Sequence, residues 1–392
     1  MSASAVDAVP APHGGIEWPS TDPDTGRPST TATNKSVWVS ALRELVDSFS
    51  SSAKSTSSEG DGDGDGDDDA EPPPPPPTPE HVRRAEDLID RFESQPIGDW
   101  RFAYPDLLYE FGEIMSRCSA GEALIMARAG LGSLGSAMVV PAGTGADGRR
   151  IYVPARDAIM SDGAVEIRPV STATIAGGGG AIPAAGRRYE MSPPRARGGN
   201  PTAAALSGGD LKDQLARWAE YGCIEPSAAE SASAIADLDD LSPLVADRLF
   251  VLLGATSAMG PAEVLIRMGA SVAAVARPGE KLRALLDLTE RDGPAGMMVY
   301  VPEMEPGVLG ADLIRDGPEL ARWIASLCPD RRLVICNLAY LDGEKNVRAG
   351  VGMDLITEYV CEKRGDTAIS YIISVRSPSP SDYDWRKKIR EI

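Results

Sequence analysis

The sequence predicts an α/β protein. Its C-terminal part, residues 241–392, is expected to fold as a doubly wound parallel sheet in the order 3-2-1-4-5, after a helical and mixed domain over 79–240 and a disordered arm over 1–78. Three observations carry this. From Leu249 onward, apolar runs of strand length alternate with helical patterns, as parallel sheets covered by helices require. A glycine turn from Gly254 to Gly260 joins the first run to a helix. Upstream, low-complexity sequence gives way to helical periodicity at Thr78.

Met1 to Lys35 is rich in Pro, Ser and Thr and too poor in apolar residues to build a core, so it is read as disordered. Next, Val37, Ala41, Leu42, Leu45, Val46 and Phe49 fall near helical spacing. They suit either a helix that docks on the body or on a partner, or a transient helix in a disordered tail. Asp61, Asp63, Asp65 and Gly66 imitate the opening of a calcium loop, but the twelfth position, which needs a bidentate glutamate, is Pro72. The segment reads as an acidic spacer. Pro72 to Pro77 favours polyproline II, either a stiff linker or a ligand for an aromatic groove on a protein partner.

Pro79 and Glu80 open a helix with Val82, Ala85, Leu88, Ile89 and Phe92 as its apolar stripe, and one or two further helices follow up to Leu131. Trp100, Phe102, Tyr104, Tyr109 and Phe111 read as a helical core rather than a platform for stacked bases. "SAMVVPAG" and "RRIYVPARDAIM", joined by "TGADG", predict a hairpin. Gly177 to Gly180 lacks the Gly-Lys-Ser/Thr of a phosphate loop and reads as a flexible loop. Arg187, Arg188, Arg195 and Arg197 are either solvated or reach an anionic ligand at the sheet edge. Two helices, broken at "GCIEP", lead to the first strand.

That strand, Leu249 to Leu253, enters the glycine turn, and after Pro261 a helix pattern runs through Val264, Leu265, Ile266 and Met268. Gly269 ends the helix and Val272 to Ala276 forms the next buried strand. Glycines let backbone approach a pyrophosphate closely, and the unpaired amides of a helix start favour its charge. Gly254, Thr256, Ser257, Met259 and Gly260 would form this cradle. In dinucleotide sites a carboxylate at the end of the second strand accepts from a ribose hydroxyl, whereas an arginine accommodates a 2′-phosphate. Here the residue is Arg277, which points to NADP rather than NAD, or is simply a solvated strand end. "MMVYVP", "RLVICNLAY" and "AISYIISV" are the third to fifth strands, with Asn337 at the carboxyl edge of the fourth.

"VLLGATSAMG" and "VAAVARPGEKLRALLDL" resemble the first strand, turn and second strand of short-chain dehydrogenases/reductases, especially extended and atypical members, with Ser257 where their middle glycine is expected. The resemblance covers at most Leu249 to the C-terminus. It implies a Rossmann-type domain and usually NADP-dependent hydride transfer with a small carbonyl or hydroxyl compound. That family also uses a tyrosine as proton donor and a lysine one helical turn later. Tyr340 has Glu344 at the lysine position, whereas Tyr383 and Lys387 have the required spacing. The sequence ends at Ile392, before the family's sixth and seventh strands. The alternative is therefore a non-catalytic module, cofactor-sensing or structural, that acts through protein contacts.

Composition narrows the partners. A net charge of −19, more than half of it within residues 1–78, argues against nucleic acid and against anionic membrane. Cys118, Cys223, Cys328, Cys336 and Cys361 are odd in number and widely spaced, as in reduced, mostly buried thiols. His13 and His81 are the only histidines and lie outside the expected core, so no histidine-based metal site, base or triad is expected. No long apolar run or secretion signal appears, which predicts an intracellular, cytoplasmic protein. The Ser/Thr-rich start is compatible with an organellar transit peptide, although Asp7, Glu17, Asp22 and Asp24 stand against one. Unpaired sheet edges make a homodimer plausible.

Overall fold

The computed structural model describes residues 15–19, 29–56, 78–179, 189–191, 205–258 and 260–371. The acidic spacer, Pro72 to Pro77, Gly180, the four loop arginines, Met259, Tyr383 and Lys387 lie outside the described residues. The chain divides into two compact units, whose described residues fall within 12–166 and 167–372.

The first unit is helical. Its elements are α1 (Thr31–Thr56), α2 (Glu80–Ser94), a 3-10 turn (Ile97–Asp99), α3 (Trp100–Arg117) and α4 (Ala120–Ala137), then the strands β1 (Val139–Thr144) and β2 (Arg150–Pro154) and the short helix α5 (Ala155–Met160). The expected stripe of α2, Val82, Ala85, Leu88, Ile89 and Phe92, is buried throughout. It meets Val39, Ala41, Leu42 and Leu45 of α1, and Leu107, Ile114 and Met126 of α3 and α4, in one cluster. Trp38 meets Phe111 edge-on, with ring centroids 4.8 Å apart.

Disorder through residue 78 is thus corrected for α1, which supplies one side of this core. Burying a leucine contributes roughly 1.5–3 kcal/mol, so Leu42 and Leu45 each anchor the helix on this core, although most of its ordering cost is met by the rest of its packed face and its backbone hydrogen bonds. β1 and β2 pair antiparallel as the expected hairpin. "ARDAIM", however, leaves the strand as α5, because Ala155, Ala158 and Ile159 fall on one buried helical face after Pro154.

The second unit is α/β. In chain order it contains β3 (Ser171–Ala176), α6 (Gly208–Glu220), α7 (Pro226–Ala236), α8 (Ser242–Val245), β4 (Arg248–Leu253), α9 (Ala262–Arg267), β5 (Ser271–Val275), α10 (Glu280–Asp292), β6 (Met298–Glu305), β7 (Val308–Leu309), α11 (Gly317–Ser326), β8 (Arg332–Asn337), α12 (Glu344–Lys363) and β9 (Ala368–Tyr371). The sheet runs β3-β6-β5-β4-β8-β9, with β7 folded back on β6. All pairings from β6 to β9 along this path are parallel, and only β3 and β7 pair antiparallel. β5 is buried at every position, as the apolar run Val272 to Val275 requires, and the buried Ser271 hydroxyl at its start accepts from Arg331.

The unit begins well before residue 241, because β3 pairs with β6 over its whole length. A division at residue 240 is therefore replaced by one near 166. The expected loop at Gly177 to Gly179 follows β3 and is tied down by backbone contacts: the Gly177 amide donates to the Met297 carbonyl and the Gly179 amide to that of Gly293. A Cβ on Gly178 would overlap the Glu290 carbonyl oxygen, so these glycines permit backbone to touch backbone. The helices α6 and α7 pack through Leu211, Leu215, Ala229 and Ala236 into a small core of their own.

Candidate functional site

The carboxyl ends of β4, β5 and β8 carry most of the expected cradle. Gly254 leaves β4 with φ 98°, a conformation open to glycine. Its amide and that of Ala255 both donate to the Val275 carbonyl at 2.9 Å, which laces the turn to the end of β5. Ser257 then donates to Gly254 and Gly260 to Ser257, each at 2.9 Å. Four turn amides are therefore used internally, and among the described residues the amides of Thr256 and Ala258 are left without an acceptor. The Thr256 and Ser257 side chains are half-buried beside them. The next helix, α9, has only six residues, so its dipole adds little.

Arg277 stands just beyond the end of β5, exposed and without a hydrogen-bond or ion-pair partner among the described residues. The loop after β7 closes beside it. Gly310, with φ 107°, lies so near that a Cβ there would meet the Ala276 carbonyl oxygen at 2.5 Å, and Ala311 donates to that same oxygen at 2.8 Å. Among the described residues, Arg277 is the expected site residue that faces solvent with its charge uncommitted.

Asn337 ends β8 beside the turn, but its side chain points inward and is only 4% exposed. Its amide nitrogen donates to the Thr357 hydroxyl at 3.4 Å, and that hydroxyl donates to the Met353 carbonyl at 2.7 Å. The side chain therefore ties β8 to α12. At the end of the neighbouring β9, the Tyr371 hydroxyl donates to Asp354 at 3.0 Å. Burial, and secondarily Asp354, pushes the Tyr371 hydroxyl well above its usual value, and burial also raises Asp354. Tyr340 is exposed.

A cleft of about 440 Å³ lies at the opposite, amino edge of the sheet, between Ser242, Gly269, Ser271, Pro294, Met297 and Arg331. Parallel sheets of this kind usually bind ligands at the carboxyl edge, and this cleft lies away from it. Another buried charge group lies beside α11. Arg168 pairs with Asp316 at 2.7 Å and with Glu319 at 3.3 Å, both carboxylates fully shielded from solvent, and Arg315 pairs with Asp316 at 2.9 Å. Its charges balance internally, which marks it as structural.

The first unit brings His81, for which no metal site was expected, together with two other ligand-type residues. His81 in the first turn of α2, Cys118 at the end of α3 and Glu122 in the first turn of α4 bring three ligand-type atoms within 4.8 Å of one another. Cys118 and Glu122 are four residues apart, but His81 is remote in sequence, and only helix packing joins it to them. No known protein family, curated protein or solved structure matches the chain.

Proposed function

We propose that the second unit is a doubly wound, Rossmann-type module that binds NADP at the carboxyl edge of its sheet. The observation that carries this reading is the uncommitted Arg277 at the end of β5, next to a glycine turn with two open amides. Thr256, Ser257 and the Thr256 and Ala258 amides would hold the pyrophosphate, and Arg277 the 2′-phosphate. Bound there, the cofactor would supply a hydride. An oxidoreductase acting on a small carbonyl or hydroxyl compound would then need a proton donor, the role that the family resemblance gives to Tyr383 with Lys387. Asn337 would act indirectly, by holding the end of β8.

A second reading, a structural module that works through protein contacts, is favoured by a different observation. The loops after β4 and β8 close on each other, Leu338 and Ala339 both donating to the Leu253 carbonyl. Titration with NADPH and NADH, followed by nicotinamide fluorescence and thermal stability, separates the two. Tighter binding of NADPH, lost in Arg277→Glu, supports the cofactor reading. Absence of binding by either cofactor removes it and leaves the structural module.

A further inference from the structure

We propose that His81, Cys118 and Glu122 form a binding site for Zn²⁺, with water as the fourth ligand, that clamps the start of α2 to the junction of α3 and α4. Three donors of different kinds converge there from three helix ends. His81 Nε2 and Glu122 Oε1 are 3.1 Å apart, and the Cys118 sulfur completes a group contained within 4.8 Å. Tetrahedral zinc, with bonds of about 2.0–2.3 Å to these atoms, sets its ligands roughly 3.3–3.6 Å apart. The nitrogen and oxygen are nearly at that spacing, and the sulfur needs a shift on the order of 1 Å, within reach of a cysteine rotamer change.

The carboxylate is already oriented. Glu122 Oε2 accepts from the Ser119 amide and hydroxyl, both at 2.7 Å, so Oε1 is the atom turned towards His81. Such outer hydrogen bonds fix ligand geometry at metal sites. Both the His81 and the Glu122 side chains are less than a third exposed, at 15% and 26%. Cys118 is half-buried, with its sulfur 3.8 Å from that of the buried Met126. Zinc would meet a neutral imidazole, a carboxylate and a thiolate, so its two charges are balanced. The thiol proton leaves for solvent as the Zn–S bond forms.

The same atoms also explain themselves without metal, as a histidine–glutamate hydrogen bond beside an apolar thiol, and the test is built to separate the two. The full chain, reduced and stripped with chelator, is titrated with Co²⁺ and then with Zn²⁺. We expect a thiolate-to-cobalt charge-transfer band in the near ultraviolet that zinc displaces. The band persists in Cys223→Ser, where an exposed thiol is removed, and disappears in Cys118→Ser. Affinity falls at least about tenfold in His81→Ala and in Glu122→Ala. Absence of the band, its survival in Cys118→Ser, or unchanged affinity in His81→Ala overturns the proposal. The acidic run Asp61 to Asp69 has no thiol and cannot produce the band.

Discussion

Gly254 stands against the backbone of Ala339: a Cβ added to it would lie 2.6 Å from the Ala339 amide nitrogen and 2.8 Å from its Cα. The turn after β4 and the loop after β8 therefore share one tight crossing, at the point where a Rossmann-type crevice would open.

Gly254→Ala should destabilise the second unit by about 2–4 kcal/mol, from the left-handed backbone together with the forced shift of Ala339. Denaturant unfolding monitored at Trp323 in α11 would measure it. A cost under about 1 kcal/mol would mean that the crossing is loose.

Arg168→Met should cost about 3–5 kcal/mol, because it leaves Asp316 and Glu319 buried with too little compensating charge. Replacing both Arg168 and Glu319 with Met should recover part of that loss, since Arg315 still pairs with Asp316. The comparison requires only the unfolding midpoints of the two variants. Equal losses would show that Glu319 is not the residue left stranded.

Leu42→Ala should cost the first unit about 2–5 kcal/mol, as expected for a fully buried leucine in a packed core. A surface substitution on the same helix, Glu44→Ala, should lie within about 0.5 kcal/mol of wild type. If the two variants unfold alike, α1 is not part of the core.

Glu122 carries a pH signature. Its carboxyl is held below the usual carboxylate range, first by the Ser119 hydroxyl and amide and then by His81. A carboxyl lowered by folding adds stability that is fully present above its unfolded value, about 4.3, and is lost as pH falls through the lower folded value. In chelator, wild type should therefore exceed Glu122→Gln by about 1 kcal/mol at neutral pH, with the gap closing in acid below the folded value. Urea unfolding at pH 7 and near pH 3 tests the sign, and a gap that does not change with pH refutes it.

Much of the second unit was legible from period alone. The runs at Leu249 to Leu253 and Val272 to Ala276 are apolar at nearly every position, and only a strand covered on both faces suits such a run. The stripe of α2 was equally plain. β3 was not, because Ser171 to Ala176 is a partly exposed edge strand with mixed polarity and no repeat strong enough to declare itself. Its partner β6 lies more than a hundred residues later, so the pairing appears in no local window.

The candidate sites divide in the same way. Gly254 and Arg277 could be named because a turn and a strand end are local features. The inward orientation of Asn337 could not, since it depends on α12 supplying Thr357 across the sheet. Nor could the convergence of His81 with Cys118 and Glu122 be read from spacing.

By itself, the sequence determined most of the strands and helices from Leu249 onward, though not the short β7, together with where the glycine turn falls and that Arg277 follows the second strand. These depend on side-chain period and on local backbone freedom, both written within a few residues. Tertiary structure alone decided that α1 joins the helical core, that β3 edges the sheet, and that three helix ends gather a histidine, a thiol and a carboxylate. Each of these depends on which apolar faces bury one another, and that choice is made by packing between segments far apart in the chain.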